Sequence, residues 1–99
     1  MIREYAEKLI MLLRKMLKDD EYFDTAKYTI KSNGDIEISF YIKQMPGFLY
    51  TTCVVTVTES SVVEEDAQEI VDDWHERVTP EAIKSYSSFI RDIRRWGTN

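Results

Sequence analysis

Cys53 and His75 are the side chains of this sequence best suited by type to nucleophilic or metal chemistry, and each is the sole residue of its kind. A thiolate–imidazole pair would need the two in contact. Cys53 stands in an alternating strand pattern on the parity that faces a core, whereas His75 lies on the polar side of an acidic helix pattern. A protonated, buried thiol is therefore the expected state of Cys53. A single cysteine also excludes an internal disulfide and a cysteine-based zinc cluster. Asp72, His75 and Glu76 share one helix face and make a partial metal site, but no second histidine and no HExxH spacing completes it. Gly34, Gly47 and Gly97 each fit a turn or a helix end, so none belongs to a phosphate-cradling loop. The carboxylate runs Asp19-Asp20, Glu64-Glu65-Asp66 and Asp72-Asp73 are of the kind that solvates a surface. The expectation is a protein with no catalytic residue, no metal and no cofactor.

Three surfaces remain as candidates for binding a partner. Between Ser60 and Val78 the chain carries seven acidic residues and one basic residue, a local charge of −6 in a chain whose net charge is −5. Within that segment Glu65, Glu69, Asp72 and Glu76 form a stripe that could dock on a basic partner. At the far end, Arg91, Arg94 and Arg95, with Trp96 and Lys84, could touch phosphate, which is the nucleic-acid alternative. Arginines in a last helical turn also suit the helix dipole. The third candidate is a strand surface carrying Tyr41, Tyr50 and Val54. Tyrosine is enriched at protein interfaces, and two opposed tyrosines on a small sheet would suit a two-fold homodimer.

The elements that must position these groups are legible from periodicity. Ile2, Tyr5, Ala6, Leu9, Leu12, Leu13, Met16 and Leu17 recur at three- and four-residue spacing, which predicts an amphipathic helix of about four turns. Ala26, Tyr28 and Ile30 alternate with Lys27, Thr29 and Lys31, and Ile36, Ile38, Phe40 and Ile42 alternate with Glu37, Ser39, Tyr41 and Lys43, predicting two half-buried strands. The link Ser32-Asn33-Gly34-Asp35 allows two hairpins. A two-residue Asn-Gly loop would set the apolar parity of one strand against the polar parity of the other. A three-residue loop, with Gly34 left-handed as a bulge, opposes Ile30 to Ile36 and Tyr28 to Ile38. Exposing two or three large apolar side chains costs roughly 1.5–3 kcal/mol each, so the longer loop is expected. Pro46-Gly47 suits the centre of a type II turn. A four-residue loop there places Leu49 opposite Ile42 and Cys53 opposite Ile38, with Leu49, Cys53 and Val55 inward.

Ser61-Val62-Val63-Glu64 has the form of a capping box opening a helix with the stripe Val63, Ala67, Ile70, Val71, Trp74 and Val78. Thr79-Pro80 is expected to restart helix, with Thr79 as N-cap and the stripe Ala82, Ile83, Tyr86, Phe89, Ile90 and Ile93, closed by Gly97. The result is a single α+β domain over 1–99 in α-β-β-β-α-α order. It has a three-stranded antiparallel meander and three helices packed mainly on one face.

The α-β-β-β-α order over roughly Ile2–Val78 resembles the double-stranded-RNA-binding domain. That family meets phosphates with a lysine-rich motif at the start of the helix after the sheet. Here the same place reads Ser61-Val62-Val63-Glu64-Glu65-Asp66, of the opposite charge, so the RNA-binding implication is not carried over. No apolar run reaches the length of a membrane span, and no signal-peptide pattern opens the chain, so a cytoplasmic protein is expected. The compact length, acidic surface and lack of a catalytic motif fit a small accessory or inhibitory protein of the viral or mobile-element type. Such a protein would act as a homodimer that binds another macromolecule.

Overall fold

The computed structural model describes residues 1–81. Its elements are α1 (Ile2–Met16), β1 (Phe23–Ile30), β2 (Ile36–Ile42), β3 (Leu49–Val55), α2 (Val63–Asp73) and a π-helical turn, Trp74–Val78. The strands form one antiparallel sheet in the order β1-β2-β3. This is the α+β meander expected from the sequence. The third expected helix, with its stripe from Ala82 to Ile93, lies outside the described residues.

The apolar stripe of α1 closes the sheet from one side. Ala6, Leu9, Ile10 and Leu13 are buried, as is Leu17 just beyond the helix, while Met11 on the opposite side stays exposed. Two bonds tie α1 to β1: the Arg14 guanidinium donates to the Ala26 carbonyl at 2.8 Å, and the Tyr28 hydroxyl donates to Glu7 at 3.3 Å. The Tyr5 hydroxyl donates to the Asp66 carboxylate and so ties α1 to α2. Burial, then the Asp66 hydrogen bond and charge, push the Tyr5 phenol up to about 12 from 10.0. A raised pKa means that this contribution to stability is complete below pH 10 and is lost as the pH rises through about 12.

Beneath the helices, β2 supplies the centre of the core. Ile36, Ile38, Phe40 and Ile42 are all buried. Trp74 completes it, 1% exposed, edge-on to Phe23 (5.6 Å, 84°) and tilted against Phe40 (5.4 Å, 39°).

The first hairpin takes the three-residue loop. Ile30 pairs with Ile36 and Tyr28 with Ile38. The Lys31 N–H donates to the Asp35 carbonyl at 2.8 Å, the Gly34 N–H donates to the Lys31 carbonyl at 2.9 Å, and Gly34 has φ +90°. Burial of the shared apolar parity therefore outweighs the tighter turn. Deleting Ser32 would leave Lys31 facing Asp35 across Asn33-Gly34, a two-residue loop that keeps the same register. That deletion is expected to change stability by less than about 1 kcal/mol in urea denaturation, because every core pairing survives.

Beyond the first hairpin, β1 extends further than the alternation suggests. Phe23 pairs with Ile42 and is buried, and a register shift between Phe23 and Thr25 hides it from a two-residue period. Asp20 anchors this start: its Oδ1 accepts the N–H groups of Tyr22 and Phe23, each at 2.8 Å.

The second hairpin departs from expectation. Its turn is as read, with Gly47 at φ +83° and the Phe48 N–H bonded to the Met45 carbonyl at 3.3 Å. Cys53 faces Ile38, but Leu49 pairs with Tyr41, not with Ile42, because the register shifts between Phe40 and Tyr41. The shift turns Leu49 outward, where it is 54% exposed, and Tyr50 packs against the core cluster.

Two helix starts also differ. Helix α2 begins at Val63 with Val62 as N-cap and no side-chain cap bond. Ser61 instead braces the preceding loop, its Oγ accepting from the Thr58 N–H at 2.8 Å. Glu64 takes over the helix start, its carboxylate held below the usual range by its own backbone N–H and then by Lys8 at 3.3 Å. Thr79 is not an N-cap: it is helical (φ −58°, ψ −47°), its N–H bonds to the Trp74 carbonyl, and its buried hydroxyl has no partner among the described residues. In a regular α-helix the Pro80 ring would press on the carbonyl four residues back. The wide turn directly before Pro80 is where the backbone absorbs that ring.

Candidate functional site: a groove between the edge strand and the acidic helix

Helix α1 covers β1, but β3 has no such lid among the described residues. Between β3 and α2 runs an open groove of about 340 Å³. Its floor is apolar: Phe40 and Trp74 are buried there, with Cys53, Val55, Ile70 and Val78 around them. Its helix-side rim is charged, with Asp66, Glu69 and Asp73 alongside Arg77. Arg77 is held by Asp73 through two bonds, 2.9 Å at Nε and 2.8 Å at Nη2, which raises its pKa. The rim is therefore negative on balance. The Trp74 indole N–H, buried at the floor, has no hydrogen-bond partner among the described residues.

The acidic stripe expected from sequence is divided by this groove. Glu69 stands on the rim, and the neighbouring Asp66 and Asp73 join it. Glu65, Asp72 and Glu76 are exposed and line no part of it. Asp72 accepts a hydrogen bond from Gln68 at 2.9 Å.

The tyrosine pair is not assembled as expected. Tyr41 remains on the outer sheet face, where the Lys27 ammonium lies 5.3 Å from its ring centroid. Tyr50 is on the other side, beside Thr51, Arg77, Val78 and Glu81, because the bulge inverts its parity. Val54 keeps its outward place, 50% exposed and opposite Glu37. Exposed apolar area is thus shifted from the sheet centre to its β3 side, at Phe48 (68%), Leu49 and Val54. Arg91, Arg94 and Arg95 lie outside the described residues.

Cys53 and His75 are not brought together. Cys53 lies on the groove floor, its thiol pushed up to about 11 by burial first and by Asp73 next, with Arg77 opposing. Such a thiol is protonated at neutral pH and is a poor nucleophile. His75 reaches away to Asp20, Nδ1 to Oδ2 at 3.6 Å. Among the described residues no three of His, Cys, Asp and Glu cluster as a metal site, and no helix is long and apolar enough to cross a membrane. Comparison with known proteins adds nothing to this geometry: no family model, curated protein or solved structure matches the chain.

The groove itself had no signature in the sequence. Its floor residues belong to three separate periodic patterns, those of β2, β3 and α2, each read as core, and only the fold brings them together around one groove.

Proposed function

We propose that this chain is a small non-enzymatic protein that acts by binding another macromolecule, and that the groove between β3 and α2 receives it. The observation that carries this reading is an apolar floor left open beside a sheet edge and overhung by carboxylates. An amphipathic protein segment with basic residues on its polar side matches both features. Apolar anchors would fill the floor, and lysine or arginine would meet Glu69 and its neighbours. The nucleic-acid alternative depends on Arg91, Arg94 and Arg95, and no described contact favours it.

Affinity capture from source-cell lysate with three variants tests the assignment. Glu69→Lys reverses the rim, Cys53→Phe fills the floor, and Tyr41→Lys alters only the outer sheet face. The expected result is at least tenfold less captured partner with the first two and no change with the third. The opposite pattern, loss with Tyr41→Lys alone, removes the groove from consideration.

A further inference from the structure

We infer that the occupant of this groove is residues 82–96 of a second copy of the chain, so that two copies exchange their C-terminal segments. This rests on reading the groove as a docking site, and four observations select the occupant.

The first is the stripe beyond Glu81. Ala82, Ile83, Tyr86, Phe89, Ile90 and Ile93 recur at helical spacing, and the groove floor offers them a concave apolar counterpart. The second is charge. The segment carries Arg91, Arg94 and Arg95 toward its end, and the groove rim carries Asp66, Glu69 and Asp73 against Arg77 alone, which pairs with Asp73. The third is length. Fifteen residues in helical form span about 22 Å, close to the roughly 20 Å of a seven-residue strand such as β3.

The fourth separates a second copy from the chain's own tail. At Thr79 the backbone is still helical, and its N–H bonds back to Trp74, so the chain leaves α2 along the helix axis. Re-entering its own groove requires a reversal, and helix–helix connections take about 2–8 residues. Neither glycine nor asparagine occurs between Glu81 and Trp96 to make one, and a loop there would consume Ala82 and Ile83 from the stripe. A partner chain meets the groove without any reversal.

The test uses full-length chains and the native Cys53 on the groove floor. Cysteine is introduced singly at Tyr86, Phe89, Ile90 or Ile93, and equal amounts of unlabelled and ¹⁵N-labelled protein are unfolded and refolded together. After copper–phenanthroline oxidation, disulfide-linked peptides are read by mass spectrometry. The expected result is a Cys53 link from at least one position, with half of the linked peptides carrying one labelled and one unlabelled partner, on a covalent dimer. Links confined to one isotope would show the chain's own tail in the groove: the exchange fails and the groove reading survives. No link from any position overturns the exchange, and if Glu69→Lys also leaves lysate capture unchanged, the groove reading fails with it.

A second measurement does not depend on core substitutions. Arg91→Glu, Arg94→Glu and Arg95→Glu combined should raise the dimer dissociation constant at least tenfold by analytical ultracentrifugation, an effect that shrinks with added salt. A native chain that sediments as a monomer at high micromolar concentration overturns the exchange, as does a dimer indifferent to the triple substitution.

Discussion

Replacing Trp74 by alanine is expected to destabilise the fold by about 3–5 kcal/mol, the largest single-residue effect in the described part of the chain. The indole is 1% exposed and bridges the two ends of the core, meeting Phe23 of β1 and Phe40 of β2 at 5.6 and 5.4 Å. Domains of this size are stable by only about 5–15 kcal/mol, so the loss is about a fifth of the total or more. At about 4–8 °C per kcal/mol, the melting temperature should fall by at least about 12 °C. Trp74→Phe should cost less than half as much. It keeps most of the aromatic contact and removes an N–H that has no acceptor among the described residues. Urea denaturation of the three proteins reads the difference, and equal losses for Ala and Phe would show that the contact needs the whole bicyclic ring.

The second large effect is expected at Asp20, a residue whose sequence context reads only as part of a solvated carboxylate run. Its side chain is 8% exposed, and Oδ1 holds the N–H groups of Tyr22 and Phe23. Alanine leaves both donors without that acceptor at the mouth of β1, at a cost of about 2–4 kcal/mol. Asparagine retains an acceptor oxygen at the same position and loses only the contact with His75, so Asp20→Asn should cost less than about 1 kcal/mol. Amide exchange at Tyr22 and Phe23 is the direct measurement: protection should collapse in the alanine variant and persist in the asparagine variant. Because Asp20 fixes the residue that Trp74 packs against, a double-mutant cycle between Asp20→Ala and Trp74→Phe should show coupling above about 0.5 kcal/mol. Strict additivity would mean that the corner is not one unit.

The parts of the fold that periodicity revealed are those where a slip is expensive. Along β2 the parities are chemically distinct, isoleucine and phenylalanine against glutamate, serine and tyrosine, so a one-residue error would turn the whole buried set outward. The Ile30–Ile36 pairing could therefore be derived from burial alone. Along β3 the contrast is weak. Leu49, Tyr50, Val54 and Val55 put apolar character on both parities, and the bulge that faces Leu49 outward and Tyr50 inward carries no compositional mark. The same blindness applies to Asp20, whose role is set by backbone donors and not by neighbours in sequence. Ser61 and Thr79 show the limit of capping motifs, since each has the right residue type and neither caps a helix. The candidate site was only partly legible: of the carboxylate stripe read from sequence, Glu69 alone reaches the rim, where Asp66 and Asp73 join it, and the groove itself exists only in the fold.

The edge of β3, uncovered among the described residues, has a colloidal consequence. From Phe48 to Thr58 the chain reads Phe-Leu-Tyr-Thr-Thr-Cys-Val-Val-Thr-Val-Thr, eleven residues without a charge, a proline or a glycine. Strands of such composition stack into cross-β fibrils when their hydrogen-bonding edges meet. Natural sheets usually blunt an edge of this kind with lysine, proline or a covering element. Here a bulge at Tyr50 twists one end, and the centre of the strand carries no gatekeeper. An occupant of the groove would therefore do more than complete an interface. It would stand guard over the segment most prone to templating the aggregation of its own kind.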